Sequence, residues 1–129
     1  MADYNLAGTE PLSLKANATV NANRFVKLDA TAGFVIQAAA GTDIAVGVSL
    51  IGVVANESVP LQSVGKAKLT AGAAIALNAQ VTSDATGRAV TVATGNTSFG
   101  LAMQAAGAAG DVIEVFLTPL PNLNGPVNP

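Results

Sequence analysis

The stretch LDATAGFVIQAAAG, residues 28–41, is echoed later in the same chain by SDATGRAVTVATG, residues 83–95: Asp-Ala-Thr, a glycine, then an apolar run. Setting Leu14 on Leu69, an offset of 55, and sliding forward gives identities at Ala16/Ala71, Ala18/Ala73, Asn23/Asn78, Val26/Val81, Asp29/Asp84, Ala30/Ala85 and Thr31/Thr86. Past Thr31 the offset falls to 54 at Gly41/Gly95 and to 53 at Gly47/Gly100, as small insertions or deletions at turns produce. Two copies are too few for a solenoid, which needs about three to bury its faces. The repeat therefore predicts a body made twice, with pseudo-repeats over residues 14–63 and 69–117.

The local signal inside each copy is β. Apolar and polar residues alternate over 11–15 (PLSLK), 25–28 (FVKL), 64–69 (VGKAKL), 89–92 (AVTV) and 112–117 (VIEVFL), the period of a half-buried strand. Turn formers separate them, among them Gly33, Gly41, Asn56, Gly87, Gly95 and Gly110, residues that tolerate the backbone angles of tight turns. The apolar run IAVGVSLIGVVA, residues 44–55, is well short of the roughly 20 residues a bilayer requires and reads as buried strand. Ala-rich pieces at 71–77 and 102–109 have the propensity for short helical turns. The expected fold is all-β: a small compact β-barrel or β-sandwich built from two similar halves over residues 12–118. It is flanked by an N-terminal arm (1–11) and a Pro-rich C-terminal tail (119–129), the prolines excluding the tail from a central strand.

Composition narrows the function classes. The 129 residues suffice for one domain. Half are hydrophobic, but aromatics are 4% and Trp is absent, so the core rests on Val, Ile, Leu and Ala. Charged residues are 11%, against about 25% in average soluble proteins. A surface so poor in charge predicts that area is hidden in an assembly. The net charge is −2, and the six basic residues, Lys15, Arg24, Lys27, Lys66, Lys68 and Arg88, form no stripe for phosphates; nucleic acid and membrane are not expected partners. The polar, acidic start MADYNLAGTE is no secretory signal, so synthesis in the cytoplasm is expected.

Catalytic chemistry is nearly excluded by the inventory. There is no His and no Cys, which removes the usual general base, the triad partner and the thiolate nucleophile. Of the eight carboxylates, Asp29 and Asp84 share a repeat position and are the natural pair. Each is followed by Ala-Thr and then a glycine, the pattern of an Asp that accepts backbone N–H bonds in a turn. No P-loop, dinucleotide fingerprint or calcium loop is present. The expectation is no enzyme, no metal and no cofactor.

A family resemblance rests on residues 14–18 leading to Arg24-Phe25-Val26-Lys27-Leu28-Asp29, on Gly33 before Phe34-Val35-Ile36, and on Ile44-Ala45-Val46-Gly47-Val48. In the second copy it rests on residues 71–75, Val81-Thr82-Ser83-Asp84, Gly87-Arg88-Ala89-Val90, Phe99-Gly100-Leu101-Ala102 and residues 110–115. These resemble the capsid decoration, or cement, proteins of tailed bacteriophages that carry a duplicated β-rich unit. The resemblance implies a homotrimer on the outer surface of an expanded head, clamping neighbouring major capsid protein subunits, with no catalysis. Given that role, the switch from polar to alternating sequence at Pro11 marks the arm as a strand donor to the capsid, with Asp3, Tyr4, Asn5, Leu6, Leu12 and Leu14 as capsid-contacting residues. The alternative is a carbohydrate-binding or adhesion module, which relies on aromatic platforms; here Phe25, Phe34, Phe99 and Phe116 sit mostly at strand positions that read as core, and Tyr4 is the lone tyrosine.

Overall fold

Alternation of side chains is what turns these segments into sheet: Ala67 and Leu69 point inward and are buried while Lys66 and Lys68 between them stay exposed. The computed structural model describes residues 12–122, with the backbone alone at 12, 13 and 118–122. Its elements are all strands: β1 (Leu12–Ala16), β2 (Phe25–Leu28), β3 (Phe34–Gln37), β4 (Ala45–Ser49) and β5 (Ser58–Gln62) in the first half. The second half holds β6 (Gly65–Thr70), β7 (Gln80–Ser83), β8 (Ala89–Thr91), β9 (Ser98–Ala102) and β10 (Val112–Asn122). The fold is all-β, as expected.

The first half closes into a barrel in the order β1-β3-β2-β4-β5, and the second forms a five-stranded sheet in the order β6-β10-β9-β7-β8. Replacing each second-half strand by its repeat counterpart gives β1-β5-β4-β2-β3, the same cycle read in the other direction. The closing contact also matches. Ala16 pairs with Val35 in a parallel ladder, and the isolated parallel bridge Ala71↔Ala89 occupies the corresponding place. The Asn17 N–H donates to the Val35 carbonyl at 2.9 Å, and the Gly72 N–H to the Ala89 carbonyl at 2.7 Å.

Hydrogen bonds repeat with the same offsets. The reciprocal pair Val20/Val53 (3.0 and 2.8 Å) recurs as Ile75/Ala106 (3.0 and 2.8 Å). Asn56 N–H to Ala16 carbonyl (2.7 Å) recurs as Gly110 N–H to Ala71 carbonyl (2.8 Å), and both donors have positive φ, 73° and 96°. Asn23 and Asn78 are likewise left-handed, at 61° and 71°, where Asn is among the residues least penalised.

A barrel of about fifty residues lined by Val and Ala buries little apolar area by itself. The two halves meet this limit by sharing a core: Phe25, Ala38 and Val48 of the first half pack with Leu69, Val81, Phe99, Val115 and Leu117 of the second. Phe25 and Phe99 are tilted by 57° with ring centroids 4.9 Å apart, a favourable aromatic geometry. A smaller cluster, including Val20, Val26, Val35, Val59 and Leu61, fills the first barrel. Backbone bonds cross the seam from Phe25 N–H to Gly87 carbonyl (2.8 Å), Thr70 N–H to Asn23 carbonyl (3.0 Å) and Thr97 N–H to Gly41 carbonyl (2.7 Å).

Several sequence expectations are corrected. Only Ala45–Ser49 of the apolar run at 44–55 is strand; Ile44 before it and Leu50, Ile51 and Val54 after it are exposed, since beyond Leu50, whose N–H still reaches the Pro60 carbonyl, the chain leaves the ladder until the Val53 bridge. The Ala-rich pieces form no helical turns: Ala71, Ile75 and Ala106 are bridge positions, so the sheet contacts of the repeat override Ala propensity. Phe116 is 48% exposed, on the outer face of its strand. Finally, β10 runs through Pro119 and Pro121 to Asn122, whereas the tail was expected to stay out of a central strand. Its ladder with β6 stops at Leu117↔Gly65, and only β9 is paired beyond, at Asn122↔Ser98 after a register shift. The prolines thus lie where the strand has a single neighbour, which is where a missing N–H is tolerated.

Gly87 is the tightest point of the seam. Its φ is +80°, and an added Cβ would lie 2.8 Å from Gln37 Cγ and 3.1 Å from the Phe25 carbonyl oxygen. Gly87→Ala is expected to destabilise the fold by about 1–3 kcal/mol, whereas Gly33→Ala, at φ +85° but with nothing within 4 Å, costs less. Thermal unfolding of the two variants side by side checks this; equal losses would remove Gly87 from its place in the seam.

Candidate functional site

The repeated aspartates sit at matching corners. At the first, the Thr31 N–H donates to Asp29 Oδ2 at 3.1 Å and Asn17 Nδ2 donates to the same oxygen at 2.8 Å. At the second, Asp84 Oδ1 accepts the N–H groups of Thr86 (2.8 Å) and Arg88 (2.9 Å), and Oδ2 accepts from Arg88 Nε at 2.9 Å. Asn17 corresponds to Gly72, where a Cβ would fall 2.3 Å from Asp84 Oδ2; the guanidinium takes over the role that the amide plays in the first half. The Thr31 N–H, joined by Asn17, holds the Asp29 carboxyl below the ordinary carboxylate range. At Asp84 burial pushes the other way, but the Thr86 and Arg88 N–H groups and the Arg88 side chain outweigh it and lower the pKa. Both carboxylates are thus acceptors held in turns by hydrogen bonds that favour their ionised form. Asp43, opposed by burial but held by the Ala39 N–H and by Lys27 at 3.1 Å, is lowered in the same way.

Nothing among the described residues gathers three or more metal-ligating side chains. A shallow cleft of about 310 Å³ lies over the β6 and β10 face, lined by Lys68, Gln104, Val112, Ile113 and Glu114. It holds no nucleophile beside a base. Its one charged contact is the Lys66–Glu114 pair at 3.6 Å, a surface interaction of small energetic weight.

Of the residues singled out as contacts, Asp3, Tyr4, Asn5 and Leu6 lie outside the described residues. Leu12 and Leu14 belong to β1, paired with Leu61 and Val59 of β5, and the Leu14 side chain packs half-buried against the first core. They are part of the barrel wall. Of the phenylalanines, Phe25 and Phe99 are buried and Phe34 is half-buried, leaving Phe116 as the one exposed aromatic ring among the described residues.

What the residue patterns did not single out is the exposed apolar surface. Leu50 and Met103 stand at equivalent repeat positions, 47% and 44% exposed, and their N–H groups bond the equivalent carbonyls of Pro60 (3.1 Å) and Glu114 (2.8 Å). Leu101 and Phe116 are directly paired across β9 and β10 and both exposed. The offset of 53 between Leu50 and Met103 was available in the sequence; their exposure was not.

The family model described as phage cement protein matches residues 7–117. The chain belongs to the phage cement protein family. Its role is accordingly structural and capsid-associated. Among solved structures, this phage cement protein is similar to the head fiber gp8.5 N base of bacteriophage phi29, with a TM-score of 0.71 and 21% identity, over 86% of this chain and 95% of that one. At that identity the likeness is one of fold. No curated protein sequence matches.

The Asp84 corner makes a pH prediction for the cement protein. Its folded pKa lies below the ordinary value of 3.8, so its contribution is complete above about pH 4 and is lost as pH falls through the folded pKa. Asp84→Asn is expected to cost about 2 kcal/mol at pH 7 and to close the gap with wild type towards pH 2. Thermal midpoints across pH 7 to 2 check it; a gap that persists in acid would show that the charge is not the cause.

Proposed function

We propose that this phage cement protein binds the exterior of the head as a homotrimer and stabilises it by bridging adjacent major capsid subunits. The observation that carries this reading is the pair Leu50 and Met103: two apolar projections at equivalent positions of two similar halves, held at a fixed separation by a shared core. Neighbouring copies of one shell subunit also offer the same surface twice, so a body with two similar faces suits a bridge. The scarcity of charge, 11% of residues, fits a surface that is covered in the assembly. The acidic arm, with Asp3, Tyr4, Asn5 and Leu6, adds a tether by strand addition to the capsid, and three weak anchors on one trimer reinforce each other through effective concentration.

Incubating the protein with expanded, undecorated heads and imaging by cryo-electron microscopy tests the reading. Density capping local three-fold axes and spanning adjacent subunits is expected; bare heads would overturn it. Deleting residues 2–10 is expected to weaken head binding by about tenfold or more with the thermal midpoint unchanged. Undiminished binding would remove the arm from the mechanism.

A further inference from the structure

The second sheet ends at β6, and the direction of its main-chain groups can be read from its neighbours. On β10 the Glu114 N–H donates to Gln104 Oε1 (2.9 Å) and its carbonyl accepts the Met103 N–H (2.8 Å). Both Glu114 groups therefore face the β9 side. Lys68 is opposite Glu114, so this is a pair without mutual hydrogen bonds, and the Lys68 N–H and carbonyl turn away from β10. Thr70, two residues on, agrees: its N–H points outward to the Asn23 carbonyl across the seam. By the two-residue period Lys66 has the same orientation.

No described residue bonds the main chain of Lys66 or Lys68 on that outer side. The edge thus offers two N–H and two carbonyl groups in the spacing that a strand requires. Beside it the surface is chemically distinct. Lys66 is in loose contact with Glu114, while Lys68 has no ion pair among the described residues. Behind the edge, Phe116 and Leu101 continue the row from Lys66 into the sheet as an exposed apolar strip on the same face.

We propose that the free edge of β6 receives an acidic extended segment of the major capsid subunit as an added strand, its carboxylates opposite Lys66 and Lys68. This rests on the capsid-binding reading and names what the shell would contribute to it. Charge selects the occupant: cross-strand pairs of opposite sign stabilise a ladder and like pairs destabilise it. Two β6 edges from two copies would set lysine against lysine, so the same lysines that guard the edge against self-pairing admit an acidic strand. The cement protein then accepts a strand from the shell on its body while its arm donates one.

Lys68→Pro removes an N–H that serves only the edge, leaving the β10 ladder intact; the double variant Lys66→Glu, Lys68→Glu reverses the selecting charge without touching the backbone. Sedimentation of each with expanded, undecorated heads of the parent phage is compared with wild type, alongside thermal midpoint and sedimentation velocity without heads. Expected is a loss of about tenfold or more in head affinity for both variants, with midpoint and oligomer size unchanged. Wild-type binding matched by both variants would overturn the edge while leaving capsid binding in place. A changed oligomer size without heads would also overturn it, since the edge would then serve contacts between copies. Heads left bare by wild type as well would overturn the capsid-binding reading itself.

Discussion

The shared core between the halves is the constraint from which the rest of the structure follows. Five short strands rich in Val and Ala enclose too little apolar volume to hold a barrel alone, and this chain has neither disulfides nor tryptophan to add to it. Placing Phe25 against Phe99, with Ala38 and Val48 beside Leu69 and Val115, merges two small interiors into a larger one. Rigidity of the whole body, and hence any fixed spacing between its outward positions, depends on that joint.

Much of the architecture was legible in the sequence because duplication leaves identities where geometry is strict. Asn23 and Asn78 are the same residue because both adopt positive φ. The aspartates recur because each must satisfy the same turn. Other features were not legible, for a common physical reason: periodicity reports which side chains share a face, not whether that face is covered. Phe116 alternates like a core residue yet lies outside, and the run from Ile44 onward is apolar whether the chain stays in the ladder or leaves it. Of the residues read as capsid contacts, Leu12 and Leu14 belong to β1, whose backbone is paired along β5, and the Leu14 side chain packs against the first core; strand pairing is by itself a sufficient cause for the alternation there.

Electrostatics in this protein serve geometry. With so few charges, nearly every described carboxylate holds a piece of local backbone. Asp29, Asp84 and Asp111 gather backbone N–H groups at corners, Glu57 does so for Val54, and Asp43 for Ala39. The lysines of β6 differ, since they cap no turn. They flank an outer edge, where Lys66 meets Glu114 loosely and Lys68 has no ion pair among the described residues.

The seam glycines carry one more consequence. Gly33 and Gly87 are repeat partners, yet only Gly87 is wedged against the opposite half; Gly41 and Gly95 are partners too, and there it is Gly41, tight against Asn96, that is enclosed while Gly95 stands open. The halves therefore meet head to tail, each using a different corner, and not face to face about a two-fold axis. Such a joint gives the molecule polarity. Its two ends differ although they share one fold, so neighbours on a shell meet a body that has a direction.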